Sequence, residues 1–553
     1  MKGTRALLSM LENKGVDTIF GYPGGSVISI YDEILNSSIR HVLVRHEQCA
    51  AHMADGYARA KNQPGVCLAT SGPGTTNLVT GIATAYADSV PMIALTGQVA
   101  AGSLGLGAFQ EVDAYSLLMP ITKHSYRVLD VNRLPHAITE AWEICQTGRC
   151  GPVHIDLPID QMNSEVEESV INRSYGVKPI AEDISSLPEA VRWIKESKKP
   201  LILVGGGAIN ASKEVMELAR LLQAPVDTTL MGTGIVPGDY EMYMGPLGMH
   251  GKMSALTMSQ DADLIISIGS RFADRTYCKQ NRMHDQGRVI HIDIDATEFG
   301  KHKHPCVNLL GDAAKVTKAL TAALGTYDVT YNDWIARAKE VKNRCFCNLY
   351  MDNNPISPQR VMREINSLID DDVLITTDVG QNQMWAMHHL CIKHPRQFLT
   401  SGTFGTMGYG LPSAIGAKAA CPDKKVLTIT GDGGLQMVIQ ELATSVAEDF
   451  PITVVLLNNG KLGMVRQMQT HFWNRRYSGV DLGADPDFVT VAKGFHADGI
   501  RVEKPDEIHD AIKNAMESGK TTVVEIMVDP DIDILPMLPA NPQIPMVKGY
   551  CPF

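Results

Sequence analysis

The stretch KVLTITGDGGLQMVIQELATSVAEDFPITVVLLNNG, residues 425–460, decides the fold. Two β-branched apolar runs, KVLTIT and ITVVLL, flank a helix-length segment, the pattern of a βαβ unit in a parallel sheet. A polar cluster ends each run: Gly431, Asp432 and Gly433 after the first, Asn458 and Asn459 after the second. Open α/β sheets bind ligands at the carboxyl ends of neighbouring strands. Mg²⁺ asks for hard oxygen ligands and takes most of them from phosphate and water. Asp432, the Asn459 side-chain carbonyl and a backbone carbonyl at Lys461 fit that demand, and N–H groups from Gly433 onward can face a phosphate. A lone GDG is more often a turn; its pairing with NN across one helix points to a metal–diphosphate site.

The same rhythm extends outward. Strand-like runs recur at 18–21, 66–70, 92–96, 201–204, 264–268, 289–294, 373–377, 426–430 and 452–457, mostly followed by glycine-bearing turns and helix-like stretches. Polar, proline-containing segments near 163–188 and 326–358 divide them into three groups. The expected fold class is therefore α/β, with three domains of parallel sheets flanked by helices. These span residues 1–165, 186–328 and 357–535, with an irregular tail at 536–553. A chain of 553 residues, 44% hydrophobic, exceeds what one core organises. No short-period repeat stands out. The N-terminus lacks the features of a signal peptide, and no stretch is apolar enough to span a bilayer. Eleven cysteines without CxxC pairs read as reduced thiols, so cytoplasm is the expected location. A net charge of -11 argues against a nucleic-acid partner and leaves anionic substrates to local charges and a metal.

GDG followed by NN resembles the signature of thiamine-diphosphate enzymes, in which the aspartate and second asparagine hold Mg²⁺ against the diphosphate; here these are Asp432 and Asn459. Glu47, in RHEQCAAHMADGYARA at 45–60, matches the family's activating glutamate. By itself a Glu in a first helical turn is a solvated carboxylate favoured by the helix dipole. In the family it hydrogen-bonds the cofactor's pyrimidine nitrogen across a dimer interface. The resemblance thus implies a homodimer with shared sites, inactive as a monomer, with a tetramer as a further option.

The likeness covers nearly the whole chain and is strongest to the catalytic subunit of acetolactate (acetohydroxyacid) synthase. FGYPGG at 20–25, AFQE at 108–111, DVGQNQMWA at 378–386, the segment with GTFGTMGYGLP at 402–412 and LLNNGKLGMVRQ at 456–467 carry it. It implies that Gln381, Asn382, Gly405, Thr406, Met407, Gly433, Gly434, Gly463 and Met464 line the cofactor, with Met407 as the apolar wedge that bends it. Phe109 and Gln110 are placed beside the reacting carbon, Phe109 to exclude water and Gln110 to hydrogen-bond a substrate carbonyl. Without that context Met407 is a core gap-filler and the other two are packing and surface residues.

In the middle domain, GGG at 205–207, LGMHG at 247–251, GSRFADR at 269–275 and HIDID at 291–295 resemble the FAD segments of biosynthetic acetolactate synthases. The implied FAD residues are Gly206, Gly207, Gly248, Met249, His250, Gly269, Arg271, Asp293, Ile294, Gly311 and Asp312. Its role would be structural, because decarboxylation and ligation involve no net redox change. Glycines after strands are as often plain turns.

Arg271 is also a candidate to pair with the carboxylate of the second keto acid through its planar fork; the competing assignment is FAD contact or a surface position. Three departures from the family shape the substrate channel. Met468 replaces a tryptophan found where 2-ketobutyrate is favoured, Ile159 replaces a lysine, and Ala100, Ala101 and Gly102 stand where proline and arginine are expected. Pyruvate is the expected donor and pyruvate the favoured acceptor, giving 2-acetolactate and carbon dioxide on the route to branched-chain amino acids. A small regulatory subunit is a further implied partner. The competing readings are a 2-keto acid decarboxylase, a pyruvate oxidase, or a non-catalytic cofactor-binding protein.

Overall fold

The β-branched runs form eighteen strands in three parallel sheets among the residues described by the computed structural model, which are 1–171, 181–277, 287–301, 305–344, 352, 354–483, 486–539, 543 and 545–549. The expected boundary segments and tail lie partly outside these residues.

The first sheet contains β1 (Thr18–Tyr22), β2 (Arg40–Leu43), β3 (Gly65–Ala69), β4 (Met92–Gln98), β5 (His124–Arg127) and β6 (Pro152–Pro158), in the order β2-β1-β3-β4-β6-β5. The second holds β7 (Pro200–Val204), β8 (Val226–Thr228), β9 (Tyr243–Pro246), β10 (Leu264–Ile268), β11 (Arg288–Asp293) and β12 (Cys306–Leu310), ordered β12-β11-β10-β7-β8-β9. The third holds β13 (Val373–Thr377), β14 (Phe398–Leu399), β15 (Lys425–Gly431), β16 (Thr453–Asn458), β17 (Asp498–Val502) and β18 (Thr522–Met527), ordered β14-β13-β15-β16-β18-β17. Central strands such as β7, β10 and β13 are buried along their whole length, as sheets covered on both faces require. No helix among the described residues is long and apolar enough to cross a membrane.

The first and third sheets have one topology: each starts on an inner strand, steps to one edge, then crosses to the other side. The helices that follow the two edge strands, Glu47–Lys61 after β2 and Gly410–Ala420 after β14, pack on each other. Their contacts are reciprocal. A Cβ on Gly56 would lie 2.1 Å from the Ser413 carbonyl oxygen, and one on Gly416 would lie 1.9 Å from that of Met53. Small residues thus let the two backbones touch, and the first and third domains meet about a local pseudo-twofold axis. An ion cluster closes the junction: Arg59 pairs with Asp55 at 2.6 Å and Asp88 at 3.2 Å, and Tyr409 donates to Asp55 at 2.6 Å.

Asp227 in β8 is a costly exception in the core. It is 0% exposed, and neither carboxylate oxygen has a hydrogen-bond partner among the described residues. Burial pushes its carboxyl well above the usual carboxylate range. The folded chain therefore keeps this proton where the unfolded chain has lost it. Stability falls as pH rises above the unfolded value of about 3.9, until the folded group itself ionises. Asp227→Val is expected to raise stability at pH 7 by on the order of 1–3 kcal/mol, and by less at pH 4.5. Melting curves of both proteins at the two pH values check this; an equal or absent gain refutes it.

Candidate active site

In the third sheet the strand order reverses between β13 and β15, which opens a crevice at their carboxyl ends. A cavity of about 80 Å³ sits there. Ten of the expected residues line it together: Gln381, Asn382, Met407, Asp432, Gly433, Gly434, Asn459, Lys461, Gly463 and Met464. Gly405 and Thr406 do not; the Thr406 hydroxyl instead meets that of Thr84 at 2.7 Å. Asp432 clasps two strand ends. Its Oδ1 accepts from the Gly433 N–H at 2.7 Å and its Oδ2 from those of Asn459 and Gly460 at 3.1 and 2.6 Å. The paired asparagines have separate duties: Asn458 Nδ2 donates to Glu525 at 2.9 Å, bracing the sheet, while Asn459 lines the cavity.

These residues fit a diphosphate with a divalent cation. A Cβ on Gly463 would lie 2.2 Å from Gln381 Oε1, and one on Gly433 would lie 2.8 Å from Leu462, so glycine alone keeps the cradle open. Among the described residues no group of three or more His, Cys, Asp or Glu is arranged to hold a metal. A cation here therefore needs phosphate oxygens beside Asp432, the mode Mg²⁺ favours.

Two supporting residues escaped sequence reasoning. Gln467 accepts from Gln381 Nε2 at 2.9 Å and from the Ile534 N–H at 2.9 Å, which orients the Gln381 amide. Asp378, at the end of β13, is fully buried. It accepts N–H bonds from Gly408 at 3.0 and 3.1 Å, Gly410 at 3.0 Å and Val379 at 2.8 Å. Burial raises its pKa and these bonds oppose the rise. A Cβ on Gly434 would lie 2.3 Å from its Oδ1, so one carboxylate ties the turn carrying Met407 to the diphosphate helix. Asp378→Ala strands three buried donors, each worth about 1–3 kcal/mol. It is expected to raise the dissociation constant for a diphosphate ligand in this cavity by about 10–100-fold, with Asp378→Asn in between; fluorescence titration of the ligand-free protein checks both. The sequence cues were an acid at a strand end, which is common, and its place at the head of DVGQNQMWA, which assigned it no role.

Glu47 begins the helix after β2 and is half-buried. Asn77 Nδ2 donates to its Oε2 at 2.9 Å, and a Cβ on Gly74 would lie 3.4 Å from its Oε1. The loop with Phe109 and Gln110 arrives beside it: a Cβ on Gly72 would lie 2.8 Å from the Gln110 carbonyl oxygen. Gln110 has φ of 58°, and Phe109 is 87% exposed. These three residues thus gather at the carboxyl ends of the first sheet's strands, around the turn after β3. None of the residues lining the diphosphate cavity comes from that domain. Asp160 Oδ1 accepts the Ala101 N–H at 2.9 Å, so two of the sequence departures, at Ile159 and at 100–102, are neighbours. Met468 is half-buried, one turn beyond Met464 on the helix Gly463–Phe472.

In the second sheet the order reverses between β7 and β10, and residues 205–207 and 269–271 follow those strands. Gly207 N–H donates to the Gly269 carbonyl at 3.0 Å, and a Cβ on Gly205 would lie 2.3 Å from that same oxygen. These glycines allow two loops to touch at a place suited to a dinucleotide. Asp293 with Ile294 and Gly311 with Asp312 end the neighbouring strands β11 and β12, and Asp312 also caps the helix Ala313–Leu324. Gly248, Met249 and His250 follow β9 at the other side of the sheet. Arg271 Nη2 donates to the Ala87 carbonyl at 2.9 Å and to Thr403 Oγ1 at 2.8 Å. It reaches from the second domain to both others, and Thr403 lies on the segment that leads to Met407.

Residues 1–117 match the family described as thiamine pyrophosphate enzyme, N-terminal TPP binding domain; 187–320 match its central domain and 378–526 its C-terminal TPP binding domain. The probable acetolactate synthase large subunit of Methanocaldococcus jannaschii is 44% identical over 555 residues, 98% of this chain and 94% of the relative. The acetolactate synthase large subunit of Corynebacterium glutamicum is 43% identical over 574 residues, 100% and 91% of the two chains. That of Lactococcus lactis subsp. lactis is 40% identical over 547 residues, 98% and 94%.

Proposed function

The chain belongs to the thiamine pyrophosphate enzyme family, among the acetolactate synthase large subunits, and on that premise we propose that it joins two pyruvate molecules into 2-acetolactate with loss of carbon dioxide, on the route to branched-chain amino acids. The observation that carries this is the cradle at Asp432, Asn459 and Gly463, with Met407 in its wall, at the switch point of the third sheet.

Bound thiamine diphosphate supplies a nucleophilic carbon and an electron sink, which permit loss of carbon dioxide from a 2-keto acid and transfer of the remaining two-carbon unit. Asp432 and Asn459, with the Lys461 carbonyl, would hold Mg²⁺ against the diphosphate. Met407 would shape the cofactor, and Gln381, Asn382 and Met464 would wall it in. Glu47 would hold a hydrogen bond to the pyrimidine nitrogen. Phe109, with Met407, Met464 and Met468, would keep water from the reacting carbon, so that the two-carbon unit meets a keto acid instead of a proton. Gln110 would orient a substrate carbonyl and Arg271 would pair with the acceptor's carboxylate.

Glu47 and the diphosphate cavity lie on different domains, and Phe109 stands largely exposed in a single chain. Both features support a homodimer in which Glu47, Phe109 and Gln110 of one protomer complete the cavity of its partner, with a tetramer as the higher assembly. The relatives' designation as large subunits supports a small regulatory partner. The touching loops at the switch point of the second sheet support FAD as a structural cofactor there. A verified monomer, populated by dilution, is expected to lose nearly all specific activity.

Products made from pyruvate test the activity, with and without 2-ketobutyrate. Acetoin after acid treatment marks carboligation; aldehyde alone marks a decarboxylase, peroxide an oxidase, and unchanged pyruvate a non-catalytic protein. With one methylene worth about 1–3 kcal/mol in such a pocket, the replacement of tryptophan by Met468 supports pyruvate as acceptor.

A further inference from the structure

β2 is an outer strand of the first sheet, so the backbone groups on its free side have no neighbouring strand to bond. Val44 N–H turns inward and donates to the Gly21 carbonyl at 3.2 Å. By the alternation of an extended chain, the Leu43 carbonyl and the Arg45 N–H on either side of it face outward. Their partners come from the third domain. Arg45 N–H donates to Glu441 Oε1 at 2.9 Å. The Thr444 hydroxyl, which donates to Glu441 Oε2 at 2.7 Å, also lies 3.2 Å from the Leu43 carbonyl.

The same seam continues along the strand. Arg40 Nη2 donates to the Glu448 carbonyl at 2.8 Å and to Glu448 Oε2 at 2.9 Å, and its guanidinium lies 4.4 Å from the centre of the Phe450 ring. The helix Glu441–Ala447 therefore follows the free side of β2 from Arg40 to the turn that leads into Glu47. This helix comes shortly after Asp432 on the segment that follows β15. One stretch of chain thus builds the diphosphate cradle at its start and holds the turn before Glu47 at its end.

Glu441 is the costly member of this seam. It is 0% exposed, and the buried Cys49 thiol lies beside its carboxyl group. Burial raises its pKa, and the bonds from Thr444 and Arg45 oppose the rise. An apolar side chain would cover the strand edge at less cost, but would leave the Arg45 N–H without this partner. Glu47 is in this way held from two domains. Asn77 Nδ2 donates to its carboxylate at 2.9 Å from within the first, and Glu441 fixes the backbone two residues earlier from the third. Glu441 does not line the diphosphate cavity, so its reach toward the cofactor is only through Glu47.

We propose, on the catalytic role given above to Glu47, that Glu441 is its positioning residue: by accepting the Arg45 N–H it sets the turn from which the Glu47 carboxylate is presented. Misplacing a catalytic group by about 1 Å costs on the order of 100-fold in rate. Glutamine at 441 keeps an acceptor for Arg45 and can donate to Thr444 Oγ1, whose own hydroxyl proton then goes to the Leu43 carbonyl. Leucine at 441 fills the space and keeps neither bond.

The test compares Glu441→Leu, Glu441→Gln, Glu47→Gln and the double variant Glu47→Gln with Glu441→Leu, each saturated with thiamine diphosphate and Mg²⁺. Glu441→Leu should lower kcat about 10–100-fold with KM for pyruvate within a few-fold of the parent. Amide hydrogen exchange followed by mass spectrometry should quicken about 10-fold in the peptide covering residues 43–49. Glu441→Gln should stay within about 3-fold of the parent in both readings. The double variant should turn over no more slowly than Glu47→Gln alone, because Glu441 acts only through Glu47. A further loss in the double variant, unchanged exchange in Glu441→Leu, or unchanged kcat in it while Glu47→Gln is impaired overturns the proposal alone. Near-normal turnover in Glu47→Gln sinks the catalytic reading of Glu47 and the proposal with it. If Glu441→Leu does not fold, Thr444→Val takes its place, with kcat expected to fall about 3–10-fold and exchange over 43–49 to quicken; no change in either overturns the proposal.

Discussion

Glu47→Gln is expected to lower turnover on the order of 10²–10⁴-fold while the affinity for thiamine diphosphate stays within a few-fold of the parent, as befits loss of a proton-handling group. The two halves of this expectation come from different domains. Glutamine has nearly the same shape, and its carbonyl can still accept from Asn77 Nδ2, which lies 2.9 Å from Glu47 Oε2. The helix start and the contact with Gly74 should survive. What is lost is the charge and the ability to share a proton with a ring nitrogen. Cofactor affinity should hold because the cavity that would grip the diphosphate is lined only by residues between 358 and 529. A carboxylate placed at a helix N-terminus only for the dipole contributes a few tenths to about 1 kcal/mol to stability and nothing to turnover. Steady-state kinetics beside a cofactor titration separates the two roles, and near-normal turnover in the variant would sink the catalytic one.

What could be read from the sequence follows from how local each signal is. All nine strand-like runs became strands, because a β-branched run ended by glycine needs few distant partners to declare itself. The Asp432 and Asn459 pair was legible for the same reason: β15 and β16 are sequential neighbours in the sheet, so a short stretch carries both halves of the cradle. Asp378 was not. Its meaning depends on Gly408, Gly410 and Gly434 arriving from two other loops, and no spacing in the chain announces that. The shared topology of the first and third sheets was equally hidden. It is preserved in strand order and in the reciprocal contacts of Gly56 and Gly416, and left no repeat visible in the residues. Asp227 was hidden too: nothing in its short segment marks the buried inner strand on which it lies.

Asp432→Asn should raise the Mg²⁺ concentration needed for half-maximal activity by about 100-fold or more, with the cofactor's affinity falling alongside, since removing a charged partner from a buried site is worth several kcal/mol. The two carboxylate oxygens already accept three backbone N–H groups, from Gly433, Asn459 and Gly460. An amide NH₂ can occupy only one of those oxygen positions, and in either it turns a donor toward another donor. The variant thus loses charge toward a metal and loosens the clasp between β15 and β16 at once. Asn459→Ala separates the two losses, because among the described residues the Asn459 side chain accepts only the Lys461 N–H, at 3.1 Å in its own turn. It should raise the Mg²⁺ concentration needed for half-maximal activity by about 10-fold with little change in melting temperature, the scale of one hydrogen-bonding ligand. If Asp432 were merely a turn residue, as most glycine-flanked aspartates are, its replacement would lower the melting temperature and leave the Mg²⁺ titration where it was. The coupling of metal demand to cofactor demand in one variant, against metal demand alone in the other, is what a shared metal–diphosphate site requires.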